Sequence, residues 1–250
     1  MSAVLQIETL FENGFQAHCQ GDLSRAISLY QQVLRICPDH APTLKAFGVL
    51  AFSHGAIDKG LEMLTAATVC HPKDAEAWSN LGNALRCIER HSESVEACQK
   101  AVALNPQDGN AHSNLSAALR CLGRLSESLH HAGLAVELIP QLPEAHINLA
   151  SGFQNLGETD TALIALSQAA QLNPTHVSTR QNLLFTSLYS DQLTDEDVTQ
   201  MHADFGAMFA TPQRPAKRDR CRNIGFVSGD FRKHPVGRFF ASLLPFVDRS

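Results

Sequence analysis

Residues 75–108 read AEAWSNLGNALRCIERHSESVEACQKAVALNPQD, and this pattern of apolar, small and helix-breaking residues returns every 34 residues. A proline marks each return, and the five prolines are Pro38, Pro72, Pro106, Pro140 and Pro174. A fixed period of this length is typical of stacked repeats. It divides the chain into five units, namely 7–40, 41–74, 75–108, 109–142 and 143–176, with a partial sixth unit that extends the array to residue 190.

Small side chains recur at three positions of the unit. Positions 8, 20 and 27 hold Gly, Ala or Ser in fourteen of fifteen cases, and Val33 is the exception. Such a pattern indicates helices that cross closely, because axes about 8–10 Å apart leave no room for longer side chains. Position 15 is glycine in every unit except one, where Glu89 stands. A glycine there predicts a turn with positive φ between two helices, and the proline then stops the second helix.

These features resemble the tetratricopeptide repeat family, and the resemblance covers about two-thirds of the chain. It implies a mostly α fold, in which helix pairs stack into a right-handed superhelical solenoid. Each unit of such an array buries its apolar face only against its neighbours.

One asparagine recurs at position 6 of four successive units, on the predicted concave face of the first helices. The four residues are Asn80, Asn114, Asn148 and Asn182. An asparagine carries both a donor and an acceptor, so a row of them can bind the backbone of an extended peptide in both directions. Helices about 8–10 Å apart would meet about every third residue of that peptide. In the alternative hypothesis these side chains cap or cross-link neighbouring repeats.

Other polar side chains of the array have structural interpretations. Cys19, Cys87 and Cys121 share position 13, either as small residues of the groove wall or as a redox-sensitive set. His112 and His146 occupy position 4, which is a packing position. The pair at 130–131 reads as a solvated surface of a second helix.

Composition excludes several classes of protein. The net charge is −5 and hydrophobic residues make up 44% of the chain, which argues against a nucleic-acid binder and against a disordered chain. The seven cysteines include no CxxC pair. The N-terminus lacks the form of a signal peptide, and no apolar run reaches the roughly 18 residues that a membrane span needs. We therefore expect a cytoplasmic protein with reduced thiols, bound to no membrane.

A linker is predicted at residues 191–222. Thr194, followed by three acids, is a helix start, and that helix should run to about Phe209 or Ala210. Residues 211–222, TPQRPAKRDRCR, read as an exposed basic linker, with a nuclear-import patch or a phosphate contact as alternatives.

The pattern changes again at residue 223. Residues 223–228 read as a short buried strand, 229–235 as a loop and 236–247 as a helix, which is the opening of an α/β domain with a parallel sheet. Because one strand cannot form a sheet, we expect the chain to be the N-terminal part of a longer protein, with residues 223–250 as the start of a Rossmann domain.

The string IGFVSGDFRKHPVGRFFASLLPFVDRS, residues 224–250, resembles the start of the catalytic region of the O-linked N-acetylglucosamine transferases and their SPINDLY-like bacterial relatives. In that family a tetratricopeptide superhelix precedes a GT-B glycosyltransferase. The resemblance implies inverting transfer of N-acetylglucosamine from UDP-N-acetylglucosamine to Ser or Thr of proteins, without metal or cofactor. It places His234 in the catalytic site; in the alternative hypothesis His234 is a loop histidine bonded to backbone. Asp230 reads as a loop or helix-cap residue.

Three functions follow from these observations. The first is the substrate-recognition arm and catalytic entry of a protein O-glycosyltransferase, with protein acceptors in the concave groove and a nucleotide sugar bound by the longer parent. The second is a non-enzymatic repeat adaptor that binds extended peptides. The third keeps the enzyme but changes its donor to GDP-fucose. For all three we expect the 250 residues alone to show no sugar transfer.

Overall fold

The computed structural model describes residues 3–208, and it contains helices and no strand within that range. The helices are α1 (Ala3–Cys19), α2 (Leu23–Ile36), α3 (Ala41–Ser53), α4 (Ile57–Cys70), α5 (Ala75–Cys87), α6 (His91–Leu104), α7 (Gly109–Cys121), α8 (Leu125–Leu138), α9 (Pro143–Leu156), α10 (Thr159–Leu172), α11 (Val177–Ser187) and α12 (Asp195–Ala207). The mostly α fold is therefore confirmed for these residues. None of these helices has the length and apolarity needed to cross a bilayer.

The helices form two layers. Each first helix (α1, α3, α5, α7, α9) packs against the second helix of its own unit, and α1, α3, α5 and α7 also pack against the next first helix. The second helices also pack on the first helix of the following unit, whereas contacts between successive second helices are sparse. A stack whose first helices touch while its second helices stand apart curves with the first helices on the concave side.

The small-residue positions are where the two helices of a unit cross. A methyl group built on Gly82 would lie 2.3 Å from Sγ of Cys98, which is closer than real side chains come. The Ser94 hydroxyl donates to the Gly82 carbonyl oxygen at 2.7 Å across the same crossing. The Ser128 hydroxyl donates to the Ser116 carbonyl at 2.8 Å in the next unit. Positions 8 and 20 therefore hold small residues because the backbones nearly touch.

The turn after each first helix adopts the predicted positive φ. The four glycines at position 15 have φ between 74° and 84°, and Glu89 adopts φ 64° at the same position. A side chain in this left-handed region clashes with its own backbone and costs about 1–2 kcal/mol. Glu89 therefore carries a local strain that the glycines of the other units avoid.

Glu89→Gly should stabilise the protein. Relief of the left-handed strain outweighs the extra backbone entropy of glycine, which is about 0.5–1 kcal/mol, so the free energy of unfolding should rise by about 0.5–1 kcal/mol. Urea unfolding followed by circular dichroism measures the change. Glu89→Ala is the matched control, because it removes the carboxylate and keeps the strain. Equal stabilisation by both variants would contradict the explanation.

The predicted linker helix is present as α12. Thr194 caps it in a capping box: its hydroxyl accepts from the Asp197 backbone N–H at 3.2 Å, and the Asp197 carboxylate accepts from the Thr194 backbone N–H at 3.0 Å. The helix ends at Ala207, slightly earlier than predicted. The basic linker 211–222, the predicted strand 223–228 and the predicted helix 236–247 lie outside the described residues. The GT-B part of the fold and the domain bounds at 190 and 222 therefore stay predictions.

Candidate functional site on the first helices

The four asparagines stand on successive first helices: Asn80 on α5, Asn114 on α7, Asn148 on α9 and Asn182 on α11. All four side chains are half-buried. Positions 2, 9 and 13 of the same helix share their face, and most of these neighbouring side chains are exposed. The asparagines thus line one edge of a groove that runs along the concave side.

Two of the asparagines bind the preceding repeat through their amide nitrogen. Nδ2 of Asn114 donates to the Ser79 hydroxyl at 2.9 Å. Nδ2 of Asn148 donates to the Ser113 hydroxyl at 3.0 Å and to the Ser113 carbonyl at 3.1 Å. Both serines are buried, so these bonds satisfy polar groups that water does not reach. The alternative hypothesis, in which the asparagines cross-link neighbouring repeats, therefore accounts for the amide nitrogens of both side chains.

The carbonyl oxygens of these two side chains behave differently from their nitrogens. The Oδ1 atoms of Asn114 and Asn148 accept no hydrogen bond from any residue between 3 and 208. At Asn182 the pattern is reversed, because its Oδ1 accepts from Nε2 of Gln154 at 3.0 Å. Nδ2 of Asn148 makes two bonds to Ser113, whereas Nδ2 of Asn114 makes one and keeps a second N–H, so Asn114 can still both donate and accept. Binding of a guest backbone by these side chains stays a prediction.

The N-terminal end of the groove is an open cavity of about 380 Å³ beside Asn80. Phe11, Phe15 and Val49 supply its apolar wall, and Phe15 is half exposed. Nζ of Lys45 lies at its rim, 2.9 Å from the Asp74 carboxylate. Burial acts to lower the pKa of Lys45, but the hydrogen bonds to Glu76 and Asp74 outweigh burial and raise that pKa. The lysine therefore stays charged and paired.

The C-terminal end of the groove is also aromatic. Phe185 and Tyr189, on and just after α11, are largely exposed and their ring centroids lie 5.3 Å apart. They line a cavity of about 310 Å³ together with Gln154 and Asn182. The groove thus has apolar ends and a polar centre built from α5, α7 and α9.

Position 4 of four successive units carries a nitrogen donor that binds the carbonyl of the proline six residues earlier. Trp78 donates to Pro72 at 3.0 Å and Arg180 donates to Pro174 at 2.7 Å. Nε2 of His112 and of His146 contacts the equivalent carbonyl, at 3.1 Å and 2.9 Å. Both histidines are buried, so their predicted packing role is confirmed. The sequence analysis did not predict this shared bond, although a side chain with an N–H donor at position 4 of four units could have indicated it.

The prediction of a solvated histidine pair at 130–131 is wrong for His131. His130 is exposed, but His131 is half-buried, and its Nδ1 lies 2.9 Å from Nδ1 of His112. Because His112 donates through Nε2, its Nδ1 accepts, and His131 is the donor. Burial, followed by the neighbouring His112 and His130, lowers the pKa of His131 to about 4. The His131 ring is therefore neutral at pH 7.

We expect this pair to make stability fall on acidification. The pKa of His131 is about 4 in the fold and about 6.5 in the unfolded chain, so the unfolded chain binds the proton first. Stability is complete above pH 6.5 and falls as pH drops toward 4, by about 1–2 kcal/mol after a discount for solvent screening. Urea unfolding across this range measures the loss. His131→Gln should flatten the dependence and the exposed His130→Gln should retain it; a flat profile in the unmodified chain contradicts the assignment.

The remaining predicted site residues are three exposed cysteines and two residues that lie outside the described part of the chain. Cys19, Cys87 and Cys121 are exposed, so both hypotheses for them stay open. Cys98 differs, because burial raises the pKa of its thiol to about 12. Within the described part of the chain no group of three or more His, Cys, Asp or Glu is placed to hold a metal ion. His234 and Asp230 lie outside the described residues, so their roles stay predictions.

Comparison with known proteins identifies the repeats. Residues 75–108 and residues 14–40 each match a model described as tetratricopeptide repeat. Protein FlbA of Caulobacter vibrioides is 30% identical over 82 residues, which are 33% of this chain and 14% of FlbA. The CTR9 homolog of Arabidopsis thaliana is 38% identical over 65 residues, which are 26% of this chain and 6% of that protein. The matched segments thus span a small part of both relatives.

Solved structures show the same architecture. The pilF protein of Pseudomonas aeruginosa superimposes with a TM-score of 0.69 at 15% identity, covering 83% of this chain and 91% of pilF. TTC0263 of Thermus thermophilus gives 0.63 at 18% identity, covering 73% and 99%. YrrB, described as a TPR protein with an unusual peptide-binding site, gives 0.54 at 20% identity, covering 73% and 97%. The described part of the chain is therefore an all-helical tetratricopeptide-repeat solenoid.

Proposed function

We propose that this chain binds an extended segment of a partner protein in the groove along its first helices. The observation that carries the proposal is the pair of unused Oδ1 atoms on Asn114 and Asn148. Each amide is held in place through its nitrogen, so its oxygen is a fixed acceptor at the edge of the groove. Such preorganised acceptors suit the backbone N–H groups of a guest peptide, which every sequence offers.

The groove also fits a peptide in length and chemistry. Four asparagines on helices about 8–10 Å apart match an extended segment of about nine residues. The cavities beside Asn80 and Asn182 offer apolar ends, where large side chains of the guest can anchor. YrrB, which has this fold, is described as containing a peptide-binding site. These features support an adaptor that reads peptide backbone more than peptide sequence.

Selection of binders from a displayed library of random peptides, each about twelve residues long, tests the proposal. We expect binders in the micromolar range, because each backbone bond contributes only about 0.5–1.5 kcal/mol. Amide hydrogen exchange with the tightest peptide should then protect α5, α7 and α9 rather than α4, α6 and α8. Protection confined to the second helices, or no enrichment of any peptide, contradicts the proposal.

A second candidate is the recognition arm of a protein O-glycosyltransferase. It rests on the string Asp230–Val236, DFRKHPV, which follows the array and resembles a glycosyltransferase loop. In this proposal the peptide in the groove is an acceptor protein, His234 lies at the transfer site, and the donor is UDP-N-acetylglucosamine or GDP-fucose. Both candidates use the groove in the same way, so they differ only in what happens to the bound segment.

Mass spectrometry of acceptor proteins separates the two candidates. Proteins should be incubated with the whole protein and with UDP-N-acetylglucosamine or GDP-fucose in parallel. Sugar added to Ser or Thr, and lost in the His234→Ala variant, supports the enzyme and identifies its donor. Residues 1–250 expressed by themselves should add none. A protein that adds neither sugar leaves the adaptor as the function.

A further inference from the structure

Two arginines on the first helices have no ion-pair partner among the described residues. Arg86 on α5 and Arg120 on α7 occupy the same position, 12, of consecutive units. Neither forms an ion pair within residues 3–208, whereas Lys45, Lys59, Arg90 and Arg124 all do. The Nε atom of each is buried without a hydrogen-bond partner. Because each Nε is buried, a guest can reach these guanidinium groups only through their terminal nitrogens.

Position 12 faces the asparagine of the following repeat. This geometry is seen at Gln154, which holds position 12 on α9 and donates to Oδ1 of Asn182 at 3.0 Å and to Oγ1 of Thr186 at 2.7 Å. The same position puts Arg86 next to α7 and Arg120 next to α9. Nη2 of Arg86 also donates to Oδ1 of Asn83, an exposed residue at position 9 of the groove face, at 2.8 Å. The Arg86 guanidinium therefore lies beside the groove face, and Arg120 holds the equivalent position one unit later.

Helices α5 and α7 together carry an excess of positive charge although the chain as a whole has a net charge of −5, and α9 adds one exposed carboxylate, Glu144. Helices α5 and α7 contain one acidic residue, Glu76, which pairs with Lys45. Asp108 caps the backbone at the far end of α7, where it accepts from two N–H groups. No carboxylate of α5 or α7 is thus left to neutralise Arg86 or Arg120.

We propose that Arg86 and Arg120 bind two carboxylates of an acidic guest peptide, spaced three residues apart. The inference rests on the proposed peptide groove and adds a sequence preference to it. Successive first helices stand about 8–10 Å apart, and an extended chain advances about 3.3–3.6 Å per residue. Glutamates or aspartates at i and i+3 therefore meet the two guanidinium groups, while the backbone between them lies along the asparagine row. A planar guanidinium binds a carboxylate in two-point geometry, which favours such pairing.

Fluorescence anisotropy with two matched peptides tests the charge preference on the unmodified chain. One alanine- and serine-rich peptide of about twelve residues carries glutamates at i and i+3, and the other carries glutamines there. We expect the glutamate peptide to bind about a hundredfold more tightly at low salt, with the advantage shrinking as salt screens the charges. Moving the second glutamate next to the first should cost about tenfold.

Arginine variants assign the preference to its residues. Arg86→Gln and Arg120→Gln should each weaken the glutamate peptide about tenfold and leave the glutamine peptide unchanged. Arg25→Gln is the matched control, because Arg25 is an exposed arginine of α2 without an ion pair among the described residues, and it should change neither peptide. Equal binding of the two peptides, or equal effects of all three variants, overturns this inference and leaves the groove intact. Absence of binding by both peptides overturns this inference and counts against the groove itself.

Discussion

Gly60→Ala is expected to lower the free energy of unfolding by about 2 kcal/mol, although alanine is the better helix former. Gly60 lies inside α4, where that helix crosses α3 at position 20. A methyl group added there would stand 2.7 Å from Cβ and 2.8 Å from the backbone nitrogen of Phe52. Because the obstacle includes backbone, the two helices must move apart, and overpacking of this kind costs about 1–3 kcal/mol. Urea unfolding followed by circular dichroism measures the loss.

Gly133→Ala is the matched control, and it should act in the opposite direction. Gly133 also lies inside a helix, α8, but an added methyl group there meets no atom within 4 Å. Only the helix propensity changes, so stability should rise by up to about 1 kcal/mol. If both substitutions stabilise the protein, the helices are not in contact at position 20 and the packing of the array is wrong.

The second large effect concerns the groove. Replacing both Asn114 and Asn148 with alanine should weaken the best selected peptide by roughly tenfold to a hundredfold. The variant loses two fixed acceptors, each contributing about 0.5–1.5 kcal/mol of peptide binding. It also leaves the buried hydroxyls of Ser79 and Ser113 without their partners, so some stability is lost as well. Isothermal titration at a temperature where the variant remains folded measures the affinity.

Ser113→Ala separates binding from stability. It removes one bond between neighbouring repeats, yet Nδ2 of Asn148 keeps its bond to the Ser113 carbonyl and its Oδ1 stays available. Stability should therefore fall by about 1 kcal/mol while peptide affinity stays within about threefold. If the serine variant weakens the peptide as much as the double asparagine variant does, the asparagines act through the fold and are not ligands.

Much of the fold was predictable because the residue type at each repeat position is set by one local requirement of backbone conformation or packing. The glycine at position 15 predicted a positive φ, and the requirement is strict enough that Glu89 adopts the same conformation. The small residue at position 8 predicted a close crossing, which Gly82 and Cys98 make. These constraints act within one unit, between residues about 16 apart, so a single period of sequence contains them.

The site was less predictable because its bonds join different units. The bond from Asn114 to Ser79 spans 35 residues and depends on how far one first helix slides along the next. The contact between His112 and His131 depends on the side-chain conformation of two rings, which no spacing rule gives. The sequence therefore indicated which face holds the asparagines. It did not indicate that the amide nitrogens of Asn114 and Asn148 donate to the preceding repeat.

A backbone ester scan of the bound peptide tests the central claim most directly. Each ester replaces one backbone N–H with oxygen, which removes a donor and keeps the side chain and the shape. We predict that two esters, about three residues apart, weaken binding about tenfold in the unmodified chain and have no effect in the Asn114→Ala, Asn148→Ala variant. Esters that weaken both proteins equally, or that have no effect at any position, would contradict the claim that these asparagines accept hydrogen bonds from a guest backbone.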